Sequence, residues 1–114
     1  MLLVGNVDAS GRQYLKKSER FCTVDRSLCL HGTIHYEPNP RIIELRSRIQ
    51  KQTGPGVLRL DFTGLNRQGD YRRTEAVLEV RGRASEIVNH RFRPDAPDAQ
   101  SWKLVAMTFT PAKD

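Results

Sequence analysis

Period-two alternation of apolar and polar residues dominates the second half of the chain. Leu58, Leu60 and Phe62 alternate with Arg59, Asp61 and Thr63, the pattern of a strand with one dry face and one wet face. Strand-like runs lie at about Val57 to Thr63, Tyr71 to Val80, Ala84 to Arg93 and Trp102 to Thr110, each bounded by turn residues. The separators are Asn66-Arg67-Gln68-Gly69-Asp70, then Gly82, then Pro94-Asp95-Ala96-Pro97-Asp98. Connections this short predict antiparallel neighbours in an up-and-down meander. Symmetric closure of the 66–70 loop sets Leu60 against Ala76, Leu58 against Leu78 and Asp61 against Glu75, which keeps the apolar residues together.

The first half alternates less cleanly. A short apolar run from Leu2 to Val7 predicts a strand, and Arg20 to Tyr36 predicts a hairpin that reverses at Val24-Asp25-Arg26-Ser27. Asn39-Pro40 is a good helix start, because asparagine caps free amides and proline suits the first helical position. Gly54-Pro55-Gly56 would stop that helix. Between them Ile42, Leu45 and Ile49 share one helical face with Ile43 at its margin, while Arg41, Glu44, Arg48 and Lys51 share the other. Arg46 falls on the buried side, where its stem is expected to pack while its guanidinium reaches water.

These elements predict an α+β, strand-rich fold. It would be an antiparallel sheet or small barrel or sandwich of about six to seven strands with one central helix at about residues 40–53. Residues 1–114 suit a single domain. The order of strands, helix and further strands is similar in outline to the oligonucleotide-binding barrel, whose helix also lies between its third and fourth strands. That OB-like likeness is one of order alone. It implies an architecture and no function.

Composition changes the picture in one respect. Apolar residues at 38% and charged residues at 28% are those of an ordinary globule, and no apolar run approaches the roughly 20 residues of a membrane span. The amino terminus lacks the pattern of a secretory leader, so the expected home is cytoplasmic and reducing. Nineteen basic residues against 13 acids leave a formal charge of +6, which favours an anionic partner such as nucleic acid, anionic lipid or an acidic protein without choosing among them.

The expected meander gathers that charge at one end of the sheet. Arg72 and Arg73 would stand beside Arg91 and Arg93, with Arg67 in the adjoining loop and Tyr71, Phe92 and Trp102 interleaved. Guanidinium groups hold phosphate and exposed rings stack on unpaired bases, so these residues form the expected nucleic-acid or anion site. The competing reading makes the rings core, since Trp102 and Phe92 alternate with polar neighbours, and makes the arginines a solvated rim beside Asp70, Asp95 and Asp98.

A second constellation is Cys22, Cys29, His31 and His35. A turn at Asp25-Arg26 sets Cys22 across from Cys29, with His31 following on the same face. Three such ligands are a zinc-like set, but the spacing has no C-x-x-C knuckle; reduced buried thiols are the default, and a cross-strand disulfide would require oxidising surroundings. Asp61 facing Glu75 resembles an acid and base pair, yet Arg59 and Arg73 are close enough to form a salt network with them. No catalytic or nucleotide fingerprint occurs, so neither cofactor nor metal is expected and the enzyme reading has no anchor. The expected function is a small basic module binding single-stranded or structured nucleic acid. The alternative is an adaptor or self-assembling protein that docks through a strand edge or through Val77, Ile87 and Val88.

Overall fold

The computed structural model describes residues 11–113, and within them the chain is all-β. The strand expected from Leu2 to Val7 lies outside the described residues. Seven strands follow in order: β1 (Gln13–Cys22), β2 (Cys29–Glu37), β3 (Ile42–Ile49), β4 (Gly56–Leu65), β5 (Tyr71–Val80), β6 (Ile87–Phe92) and β7 (Ser101–Pro111). They form two antiparallel sheets, ordered β1-β2-β3-β6 and β5-β4-β7.

The α+β expectation with a central helix over residues 40–53 is overturned, because that segment contains β3. Ile43, Leu45, Ser47 and Ile49 are buried in alternation with Glu44, Arg46 and Arg48, so the true period is two. A helix and a strand both place most of the isoleucines and leucines inside. They differ at Arg46 and Ser47. The helix puts Arg46 on the dry side, whereas the strand leaves its side chain 72% exposed and points Ser47 inward, where its hydroxyl donates to the Val88 carbonyl at 2.8 Å. Flanking strands then decide the matter. β3 is paired along its whole length with β2 and over most of it with β6, which satisfies both edges of its backbone. Asn39-Pro40 caps nothing and lies instead in the turn between β2 and β3.

The expected meander is half realised. β4 and β5 form the hairpin that the spacing predicts, with Leu60 opposite Ala76, Leu58 opposite Leu78 and Asp61 opposite Glu75. At Gly82 the chain does not turn back beside β5 but crosses to the other sheet, where β6 pairs with β3; β7 then returns to the free side of β4. The crossing is latched to the β3–β4 connection: Thr53 and Gly54 both donate backbone N–H groups to the Gly82 carbonyl, at 2.7 and 3.2 Å, and Ser85 donates to the Ile49 carbonyl at 2.8 Å.

Between the sheets lies one core. Leu30, Ile34, Tyr36, Ile43, Leu45 and Ile49 face Leu58, Leu60, Phe62, Trp102 and Met107, all buried. Phe62 meets Phe92 across the gap at 5.8 Å between ring centroids. The sides are stitched by single bonds, from the Trp102 amide to Gln13 Oε1 at 2.9 Å and from the Asp95 amide to Thr74 Oγ1 at 3.1 Å. The hairpin of β1 and β2 turns at residues 24–27 as expected, and Cys22 and Cys29 face one another across it. Asp25 organises this turn, accepting from the Ser27 hydroxyl and amide and from the Thr23 hydroxyl. Those bonds, led by the Ser27 hydroxyl, lower its carboxyl from 3.8 to about 2.

Candidate anion-binding site

Strand lengths place the turn at 38–41 and the loops at 66–70 and 93–100 together at one end of the sandwich. Each is held stiffly by its own residues. Pro38 and Pro40 restrict the first turn and Pro94 and Pro97 the third. In the second, Asn66 Oδ1 accepts the amides of Gln68 and Asp70, at 3.0 and 2.9 Å. The third is tied to β4 by the Gln100 amide, which donates to the Leu65 carbonyl at 2.8 Å.

Two open clefts result, of about 540 and 600 Å³, and both are lined by Tyr36, Pro38, Arg41 and Pro97. Arg93 closes one and Arg67 the other, so each of the three loops contributes one arginine. Arg41, Arg67 and Arg93 are exposed and, among the described residues, make no ion pair and no side-chain hydrogen bond. Arg41 also holds a left-handed backbone, with φ at 69°, which a residue bearing a Cβ adopts only at a cost. Tyr36 forms the common floor. Burial raises its phenol above the ordinary value, while the nearby Arg41 charge and the Trp102 indole pull the other way. Among the described residues, the buried Trp102 Nε1 has no hydrogen-bond partner of ordinary geometry.

The expected rim is thus redistributed. Arg67 and Arg93 reach the two clefts, joined by Arg41, which the helical reading had set apart from the sheet. Arg72 is taken up by Asp98, at 3.0 Å from Nη2 to Oδ2, and Asn66 shares that carboxylate. Bonds from Asn66 and then Arg72 hold Asp98 below the usual carboxylate range. Arg73 lines a separate hollow with Arg59, Asp61 and Glu75, and Arg91 stands opposite Glu44 on the other sheet. Crossing of β6 between the sheets is what separates Arg73 from Arg91. Trp102 is 3% exposed and Phe92 packs against Phe62, so neither ring is open for stacking; Tyr71, 70% exposed, is.

The remaining constellations resolve differently. No family model, curated protein or solved structure matches this chain. Geometry alone therefore carries the functional reading. Cys22 and Cys29 are joined in a disulfide, so their sulfurs are engaged with each other rather than standing as thiolates beside His31. Arg59 binds both Asp61 and Glu75, the salt network expected of that facing pair. Val88 is buried, while Val77 and Ile87 are exposed on strands of different sheets, so the three do not form one patch. His35, grouped with the cysteines in the sequence, is instead buried with Nε2 at 3.3 Å from Glu37 and 3.5 Å from Glu44; Arg12, just ahead of β1, pairs with Glu37 and Arg46 with Glu44, closing a network across β2 and β3. No helix among the described residues is long and apolar enough to cross a membrane.

Proposed function

We propose that this chain is a small binding module whose loop end holds an anionic polymer, single-stranded nucleic acid above all. One observation carries the proposal: three separate loops each deliver an arginine, without a carboxylate partner among the described residues, to clefts that share a floor. Solvated surface cations need no such convergence. Guanidinium groups presented from stiff loops suit phosphate oxygens, because little ordering remains to be done on binding. Tyr71 follows the Arg67 loop directly and offers a face for an unpaired base.

The test is anisotropy of a labelled single-stranded oligonucleotide at several salt concentrations. Replacing Arg41, Arg67 and Arg93 together by glutamine is expected to flatten the dependence of log affinity on log salt by about 2, since each phosphate contact contributes about 0.7. An acidic protein offers carboxylates to the same arginines but no bases to Tyr71. Tyr71→Ala is therefore expected to weaken oligonucleotide binding by at least about fivefold. Absence of binding at low salt removes the proposal.

Location belongs to the same reading. Disulfides persist in oxidising compartments, so the Cys22–Cys29 bond favours such a compartment over the expected cytoplasmic home. Freshly isolated, unreduced protein is expected to resist a thiol alkylator; two adducts by intact mass would return the chain to reducing surroundings.

A further inference from the structure

The outer face of the β1-β2-β3-β6 sheet carries a second cationic arrangement, distinct from the loop end. Register sets Arg20 opposite His31 and His31 opposite Arg48, one residue on each of three adjacent strands, with Ile87 completing the row on β6. Strands stand about 4.8 Å apart, so the three basic residues lie abreast over about 10 Å of backbone. In the next row Arg46 faces Asn89. His31, Arg46, Ser47, Arg48, Ile87 and Asn89 line a shallow hollow of about 350 Å³.

The donors there are held in place, and two of the three arginines carry no ion pair among the described residues. Arg48 Nη1 touches the Ser85 carbonyl at 3.4 Å and Arg20 Nη2 the Cys29 sulfur at 3.5 Å, and neither arginine has an ion pair among the described residues. Arg46 meets Glu44 through Nε, at 3.6 Å, and that carboxylate is shared with His35. Asn89 Oδ1 accepts the Ser47 amide at 3.3 Å, so its other amide group, the NH₂ donor, is the one left for a ligand. The patch is thus an open field of donors. Its apolar member is aliphatic, Ile87 at 57% exposed, rather than a ring on which a base would stack.

From this juxtaposition we propose that the outer face of the four-stranded sheet is a docking surface for an anionic lipid membrane, with headgroup phosphates and carboxylates taken by Arg20, His31, Arg46, Arg48 and Asn89 and with Ile87 against the interface. Cations spread over adjacent strands of an open sheet face can meet several anions of a headgroup layer at once. A single nucleic-acid strand would engage one row at a time and find no stacking platform. The proposal does not depend on the loop-end reading.

The experiment is co-sedimentation of the intact chain with phosphatidylcholine vesicles, with and without phosphatidylserine. Binding is expected only with phosphatidylserine and is expected to fall with salt. Each arginine lost near such a surface weakens binding about fivefold, so R46Q/R48Q is expected to weaken it about 25-fold. R46K/R48K keeps the charge and is expected to retain most of the binding, which separates loss of field from loss of fold. The loop variant R41Q/R67Q/R93Q is expected to leave the ratio of binding with and without phosphatidylserine largely intact. Equal sedimentation with both vesicles, loss confined to the loop variant, or capture of an oligonucleotide by this face in place of vesicles would each overturn the proposal.

Discussion

Phe62→Ala is expected to lower the stability of the domain by about 3–5 kcal/mol, the largest effect of any single truncation considered. Phe62 is 2% exposed at the middle of β4, flanked by both neighbours of the smaller sheet, and its ring meets Phe92 of the other sheet. Removing it opens a cavity where the sheets touch, and the surrounding strands are too well paired to collapse into it. Urea unfolding followed by the fluorescence of buried Trp102 measures the loss. A change under about 1 kcal/mol would show that the sheets do not pack through this ring.

Gly82→Ala is expected to cost about 2–4 kcal/mol, from two sources that add. The backbone at Gly82 is left-handed, with φ at 73°, and an added Cβ would run into the Gly54 carbonyl and the Thr53 hydroxyl. The Gly54 carbonyl is backbone and cannot swing aside as a side chain could, so the two crossing connections would have to part. Gly54→Ala is the matched control. It has φ at 82° but open space around its Cβ, so only the left-handed cost of about 1–2 kcal/mol is expected there. Equal losses at the two positions would mean that the crossings are not latched together.

Gly82 also marks where reading the chain as a meander fails. A glycine between two apolar runs announces a reversal of direction but not which neighbour receives the next strand. Five residues either side look the same whether β6 lies beside β5 or across the sandwich beside β3. The β4–β5 hairpin was legible because loop length and alternation select one register that buries Leu58 and Leu60 with Ala76 and Leu78. β3 was misread for a related reason. With Ile42, Ile43, Leu45 and Ile49 in eight residues, periods of 2 and 3.6 place nearly the same groups inside, and Ser47 blurs the shorter one. The misfit of Arg46 was the signal, since a strand removes it without any special pleading.

The candidate site was legible only in parts. Arg67 and Arg93 were visible as basic residues of turn-rich segments, but Arg41 was hidden by the helical reading. Trp102 alternates with polar neighbours as a core residue does, and its burial follows that pattern rather than the one that made it a stacking ring. The row of Arg20, His31 and Arg48 could not be assembled from sequence, because it needs the pairing of β2 with β3.

By itself the sequence determined the net positive charge, the strand character of the second half, the hairpin that brings Cys22 opposite Cys29 and the pairing of β4 with β5. Each is a matter of local spacing, where neighbours in the chain are neighbours in space. Tertiary structure decided that residues 42–49 form a strand, that β6 leaves β5 for the other sheet, and that the arginines collect at a loop end and on a sheet face. Those outcomes depend on which distant strand satisfies an open backbone edge and covers a shared apolar face, and no local pattern records that choice.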